Sequence, residues 1–94
     1  MVGTIPFPDG LIVIAVLQRG WVMVGRRHTD GVTVTLTDAS VIRRWGTTRG
    51  LGELEKGPTG STALEPCKRP VRYHELQEIF TLEVDQGAWS QLCK

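Results

Sequence analysis

Cysteine is scarce, charge is almost balanced and long apolar runs are missing, and each shortage removes a class of protein. The two cysteines, Cys67 and Cys93, lie 26 positions apart and form no CxxC. They support neither a disulfide framework nor a zinc site, and a reducing interior is the simpler setting. The longest uninterrupted apolar stretch, Leu11 to Leu17, is seven residues, against roughly 20 for a bilayer-spanning helix. No basic segment precedes it as in a signal peptide, so the expectation is an intracellular, soluble protein with no membrane role. The net charge of +1 is weak for sustained binding to long nucleic acid, whose affinity rests on many phosphate contacts. With 94 residues, the chain has room for one domain, 1–94, and not for separate catalytic and binding domains.

What is present points to β structure. Valine, isoleucine and threonine number 25 against 13 for alanine plus leucine, and β-branched side chains fit a pleated surface while losing rotamer freedom in a helix. Eleven glycines and five prolines supply turns.

Residues 1–10 read as a lead-in arm ending in Pro6-Phe7-Pro8-Asp9-Gly10. Leu11–Leu17, apolar at every position, reads as a strand buried on both faces, and in so small a chain a second covered face suggests another subunit. A tight connection at Gln18-Arg19-Gly20 leads to a second strand, Trp21–Arg27, in a hairpin with the first. Asp30-Gly31 marks the next hairpin turn. Val32–Thr37 then alternates without a break, placing Val32, Val34 and Leu36 on the core. A turn is expected at Asp38-Ala39-Ser40 and a separate strand at Val41–Trp45. Short strands follow at Thr62–Glu65, Val71–His74 and Glu78–Val84, and Trp89 and Leu92 suit a short helical tail. The fold class is therefore all-β: a small antiparallel barrel or sandwich of five to seven short strands with a short C-terminal helix. This pattern resembles the SH3-like and Sm-like small barrels, a likeness that implies fold and not function.

The richest chemistry lies at Arg43, Arg44, Trp45, Gly46, Thr47, Thr48, Arg49 and Gly50, continued by Gly57 and Thr59. Guanidinium forks suit phosphate, Trp45 suits stacking on a base, the glycines allow close backbone approach and the hydroxyls donate hydrogen bonds. Together they describe an anion or nucleotide pocket in a glycine-rich loop, residues 46–61, where a long connection in a small domain is expected to be functional. The bland alternative is a solvated loop with Trp45 as a core plug. No P-loop or GxGxxG is present. Charge agrees with a basic middle: six arginines and two aspartates lie between Arg19 and Arg49, whereas four acidic residues from Tyr73 onward oppose only Lys94. Such opposite faces equally suit head-to-tail pairing in a homo-oligomer.

Catalysis finds little support. His74-Glu75-Leu76-Gln77-Glu78 begins like HExxH, but Glu78 stands where the second histidine belongs. Cys67 beside Lys68 and Arg69 would need His74 as its base. His28 reads as a turn histidine, and Glu53 and Glu55 as solvated loop acids. Trp21 and Trp45 are expected in the core, with Trp89 the one short of neighbours. No catalytic residue, metal site or cofactor is expected.

At Val41-Ile42-Arg43-Arg44-Trp45-Gly46-Thr47-Thr48, Gly50-Leu51-Gly52-Glu53-Leu54, Gly57-Pro58-Thr59 and Leu64-Glu65-Pro66-Cys67, the chain resembles a family of short uncharacterised proteins from bacteriophages and prophages. The similarity is concentrated in residues 36–67. It implies a phage-borne protein acting in the host cell cytoplasm, binding a small anionic, nucleotide-type ligand to sequester a host defence signal. Two other readings stand beside it: an inhibitor that docks on a host defence protein, and an Sm-like RNA-binding module.

Overall fold

The computed structural model describes residues 9–46 and 50–90. Six strands make one antiparallel sheet: β1 Leu11–Leu17, β2 Val22–Asp30, β3 Thr33–Arg44, β4 Ala63–Pro66, β5 Val71–His74 and β6 Glu78–Glu83. A short helix, α1, covers Gln86–Trp89. The strand order is β4-β3-β2-β1-β6, and β5 pairs with the first part of β3 while β4 pairs with its last part. From β5 the chain passes through a 3₁₀ turn at Glu75–Gln77 into β6, at the opposite margin of the sheet. The sheet is thus curled, and the expected small all-β fold is the one observed.

The hairpin β1–β2 stands as its sequence predicts, with Ile14 opposite Val24 and Val16 opposite Val22. The next hairpin is tighter than expected. Asp30 pairs with Thr33, so Gly31 and Val32 form the turn. Val32 is therefore exposed rather than in the core, while Val34 and Leu36 are buried as their alternation requires. The turn expected at Asp38–Ser40 is instead a β-bulge inside one continuous strand. Arg26 faces Thr37 and Val24 faces Ser40, so Asp38 and Ala39 together oppose Gly25. Asp38 takes a left-handed φ of 50°, and a Cβ on Gly25 would lie 2.9 Å from that of Ala39. Glycine at 25 lets the bulge close.

Both faces of the sheet are packed. On one face Ala15, Leu17, Met23, Leu36 and Ala39 are buried, with Val71, Tyr73 and Cys67 against them. On the other, Ile12, Ile14, Val22, Val24 and Ile42 meet Leu51, Leu54, Val84 and Trp89. Strand β1 is indeed apolar on both sides, and its second side is covered by this chain's own residues rather than awaiting another subunit. The cover comes from the glycine-rich stretch. Leu51–Lys56 forms two turns of 3₁₀ helix, in which residues three apart share a face, so Leu51 and Leu54 both point to the sheet. Trp89, expected to lack neighbours, is wholly buried, and its indole N–H donates to the Leu54 carbonyl at 2.9 Å. Gln86 fastens α1 to β1. Its carboxamide accepts from the Ile12 N–H and donates to the Ile12 carbonyl, both at 2.8 Å, replacing strand pairing where β6 has ended.

Strands β5 and β6 are not hydrogen-bonded to one another through their backbones among the described residues; side chains join them. Arg27 of β2 donates to both oxygens of Glu78, at 2.9 and 2.7 Å, and the Tyr73 hydroxyl donates to the same carboxylate at 2.7 Å. The Arg27 and Glu78 side chains are each only 12% exposed. Burial alone would push the Glu78 carboxyl up, but the hydrogen bonds from Arg27 and Tyr73 and the guanidinium charge hold it below the usual range. The hydrogen bonds to Glu78 in turn raise the Arg27 pKa against the effect of its burial. Tyr73 is pushed well up, first by burial and then by its bond to Glu78 and that residue's charge.

Candidate functional site

The loop chosen from sequence divides when folded. Arg43 and Arg44 end β3, both exposed. Arg43 lies 3.6 Å from Glu65 in a solvent-exposed ion pair, a contact expected to contribute about 0–1 kcal/mol. Trp45 is exposed, not a core plug, and its carbonyl accepts the Thr62 hydroxyl at 2.6 Å. Thr59 donates its hydroxyl to the Gly46 carbonyl at 2.6 Å. Gly46, at φ 68°, must be glycine because a Cβ would lie 2.3 Å from the Ser61 carbonyl carbon. Here the backbone that approaches a glycine is the chain's own. Gly50, at φ 105°, precedes the 3₁₀ segment, and Gly57 lies against Ala88. Thr47, Thr48 and Arg49 lie outside the described residues. Gly46 and Thr59 therefore close the loop, and Gly50 and Gly57 bracket the segment that roofs the core.

Of these residues, among those described, Arg43 alone lines the groove at this end of the sheet. The groove holds about 450 Å³ and is lined by Arg19, Gly20, Trp21, Val22, Val41, Ile42 and Arg43. That volume falls within the roughly 300–1,000 Å³ of small-molecule sites. Register builds it. Met23 pairs with Val41 at the end of the β2–β3 ladder, and just beyond it Trp21 and Arg43, the latter at an irregularity in the pairing of β3 with β4, line the same groove. Trp21 is 52% exposed, against the expectation of a core position. Its carbonyl is fixed by the Leu17 N–H at 2.7 Å, so the ring stands on an anchored backbone. Arg19 sits in the 3₁₀ turn Gln18–Gly20 with a left-handed φ of 68°. A non-glycine residue in that region is uncommon and costs on the order of 1–2 kcal/mol. Among the described residues Arg19 makes no ion pair.

The residues a catalytic reading would draw on are otherwise engaged. His28 Nε2 lies 3.0 Å from the Thr37 hydroxyl, and His74 Nδ1 accepts the Leu76 N–H at 3.1 Å. Cys67 is half-buried against the Ala39 cluster. Among the described residues no three His, Cys, Asp or Glu side chains come together as a metal site, and no helix is long and apolar enough to cross a membrane. Compared with protein families and with curated proteins, the chain matches none.

Sequence reading missed Arg19 and Trp21 because they lie more than 20 positions from Arg43 and reach it only through strand pairing. The available signal was the Arg19-Gly20-Trp21 run at the turn of the first hairpin.

Proposed function

We propose that this chain is a non-enzymatic binding protein whose groove between Arg19, Trp21 and Arg43 takes a small anionic ligand with a planar ring, a nucleotide-type molecule. The observation that carries this reading is an exposed indole, on an anchored backbone, flanked by two guanidinium groups in an open groove. Arginine pairs with phosphate through parallel hydrogen bonds, and an exposed indole offers a stacking surface for a base. The resemblance to phage and prophage proteins supplies the setting, sequestration of a host defence signal in the host cytoplasm. Nothing in the reading requires a cofactor.

Thermal shift against a panel of mono-, di- and cyclic nucleotides tests it. A ligand at a hundredfold its Kd adds about 2.7 kcal/mol of stability, which in a domain of this size raises Tm by roughly 10–20 °C. Trp21→Ala and Arg43→Ala should abolish the shift, whereas Arg44→Ala should keep it. A panel in which no member stabilises the protein removes the proposal.

A further inference from the structure

Among the described residues the sheet has two margins without a further strand, and they are finished differently. At the margin made by β4 and β5, Pro66 lacks an N–H, Pro70 immediately precedes β5, and Lys68, Arg69 and Arg72 carry positive charge. Proline and basic side chains are the usual means of keeping an edge strand from pairing with another chain. At the other margin, β6 pairs with β1 on one side. On its other side, among the described residues, no backbone hydrogen bond from another element reaches residues 79–83.

Strand β6 has no proline and no lysine or arginine. Its one inward-pointing charge, Glu78, is bonded to Arg27 and Tyr73 at the strand's first residue. Ile79 occupies the bulge, since Val16 pairs with Phe80 and Leu17 with Glu78. From Phe80 to Glu83 the edge is regular, about 13 Å of strand. Around it stand large apolar side chains in water: Leu76 is 73% exposed, Ile79 60% and Phe80 47%. Between Glu75 and Ser90 there are four acidic residues and no lysine or arginine. Glu75 marks one end of the edge. At the other end Glu83 is exposed, and the Asp85 N–H donates to the Glu55 carbonyl at 2.7 Å, bringing the backbone of Glu55 and Lys56 alongside.

We infer that the β6 edge is a docking site for an extended, basic and apolar segment of a partner protein, added to the sheet as a further strand. Main-chain hydrogen bonds to the open edge supply affinity, and the side chains set specificity: apolar residues over Leu76, Ile79 and Phe80, and lysine or arginine toward Glu75 and Glu83. A second copy of this chain fits less well. Two β6 edges side by side would bring acidic residues to acidic residues, and the opposite margin is guarded by Pro66 and Pro70.

A fluorescein-labelled decapeptide of alternating lysine and valine is the probe, with an alternating glutamate and valine peptide and a backbone N-methylated lysine and valine peptide for comparison. Fluorescence anisotropy should show the lysine peptide binding at least tenfold tighter than either. In the double variant Ile79→Thr/Phe80→Thr, strand-forming and polar, binding should fall at least tenfold while circular dichroism stays that of the folded protein. Glu83→Lys, which leaves the apolar side chains in place, should narrow the preference for the basic peptide. Amide hydrogen exchange on the unmodified protein should show slowed exchange within residues 79–83 when the lysine peptide is added. Equal binding of all three peptides, unchanged exchange at the edge, or a sedimentation dimer that Phe80→Thr dissociates would overturn the inference, the last by making a second copy the occupant.

Discussion

Replacing Trp89 with alanine tests the claim that the chain covers its own second sheet face. Trp89 is fully buried among Ile12, Ile14, Leu51, Leu54 and Val84, and emptying such a site costs about 3–5 kcal/mol. The same change leaves the Leu54 carbonyl without its indole donor, a further loss of about 1–3 kcal/mol wherever water cannot replace it. A 94-residue domain has in total about 5–14 kcal/mol, so the substitution removes a large fraction of the whole. In thermal unfolding the expected fall in Tm is roughly 12–40 °C for the cavity alone. Urea unfolding adds a second readout. If α1 and the Leu51–Lys56 segment lift away together, the folded state already exposes Ile12, Ile14 and Val24, and the m-value falls along with the midpoint. Trp89→Phe, which keeps most of the ring and loses the N–H, should cost less, about 1–2 kcal/mol. A loss below about 1 kcal/mol for Trp89→Ala would refute the covered face. So would a Tm that rises steeply with protein concentration, because the face would then be covered by another copy.

Two other consequences concern the joins of the sheet. Glu78→Gln removes the charge that Arg27 and Tyr73 share and should destabilise the fold by about 3–4 kcal/mol at neutral pH, the lower part of the range for a broken buried pair. Because the Glu78 carboxyl is held below its ordinary range, its contribution is present above about pH 4 and lost as pH falls through the depressed value. A urea midpoint against pH should therefore drop more gently on the acid side in Glu78→Gln than in the parent. Tyr73, raised by burial and by Glu78, acts at the other limb: it contributes stability below the ordinary phenol range that is lost as pH climbs above it, and Tyr73→Phe should flatten that alkaline fall. Gly46→Ala combines a left-handed φ of 68° with a Cβ 2.3 Å from Ser61 and should cost more than about 2 kcal/mol. Gly60→Ala, in open space, should stay within about 0.5 kcal/mol; equal Tm values for the two would show that the loop closes some other way.

The first strand was legible because seven apolar residues in a row admit few readings, and Val34 and Leu36 because strict alternation fixes a face. The covering of β1 was also written in the chain, in Leu51, Leu54 and Trp89, apolar residues isolated among glycine and charge. Nothing local says which surface they cover, and a sequence window cannot see a contact 35 positions long such as that between Leu54 and Trp89. Glycine and threonine in a loop look the same in sequence whether they receive a phosphate or the backbone of their own turn, and at Gly46 and Thr59 the structure shows the second use.

The groove follows from one residue of slip. On the turn side of the bulge, Arg26 pairs with Thr37 and Asp30 with Thr33; on the far side, Met23 pairs with Val41. Continued without the bulge, the first register would set Trp21 opposite Ile42 and turn Arg43 to the other face, because a shift of one reverses every side chain. The extra residue, absorbed by Asp38 at positive φ and by the missing Cβ of Gly25, sets Val41 beside Met23 and leaves Ile42 in the core, and Arg43 follows Val41 into the groove that Trp21 lines. The sequence carries the trace of this in a change of parity, Val34 and Leu36 giving way to Ala39 and Val41 on the same face. The device that bends β3 and the placement of the proposed anion site are in that sense one feature, located some four residues from the arginine it positions.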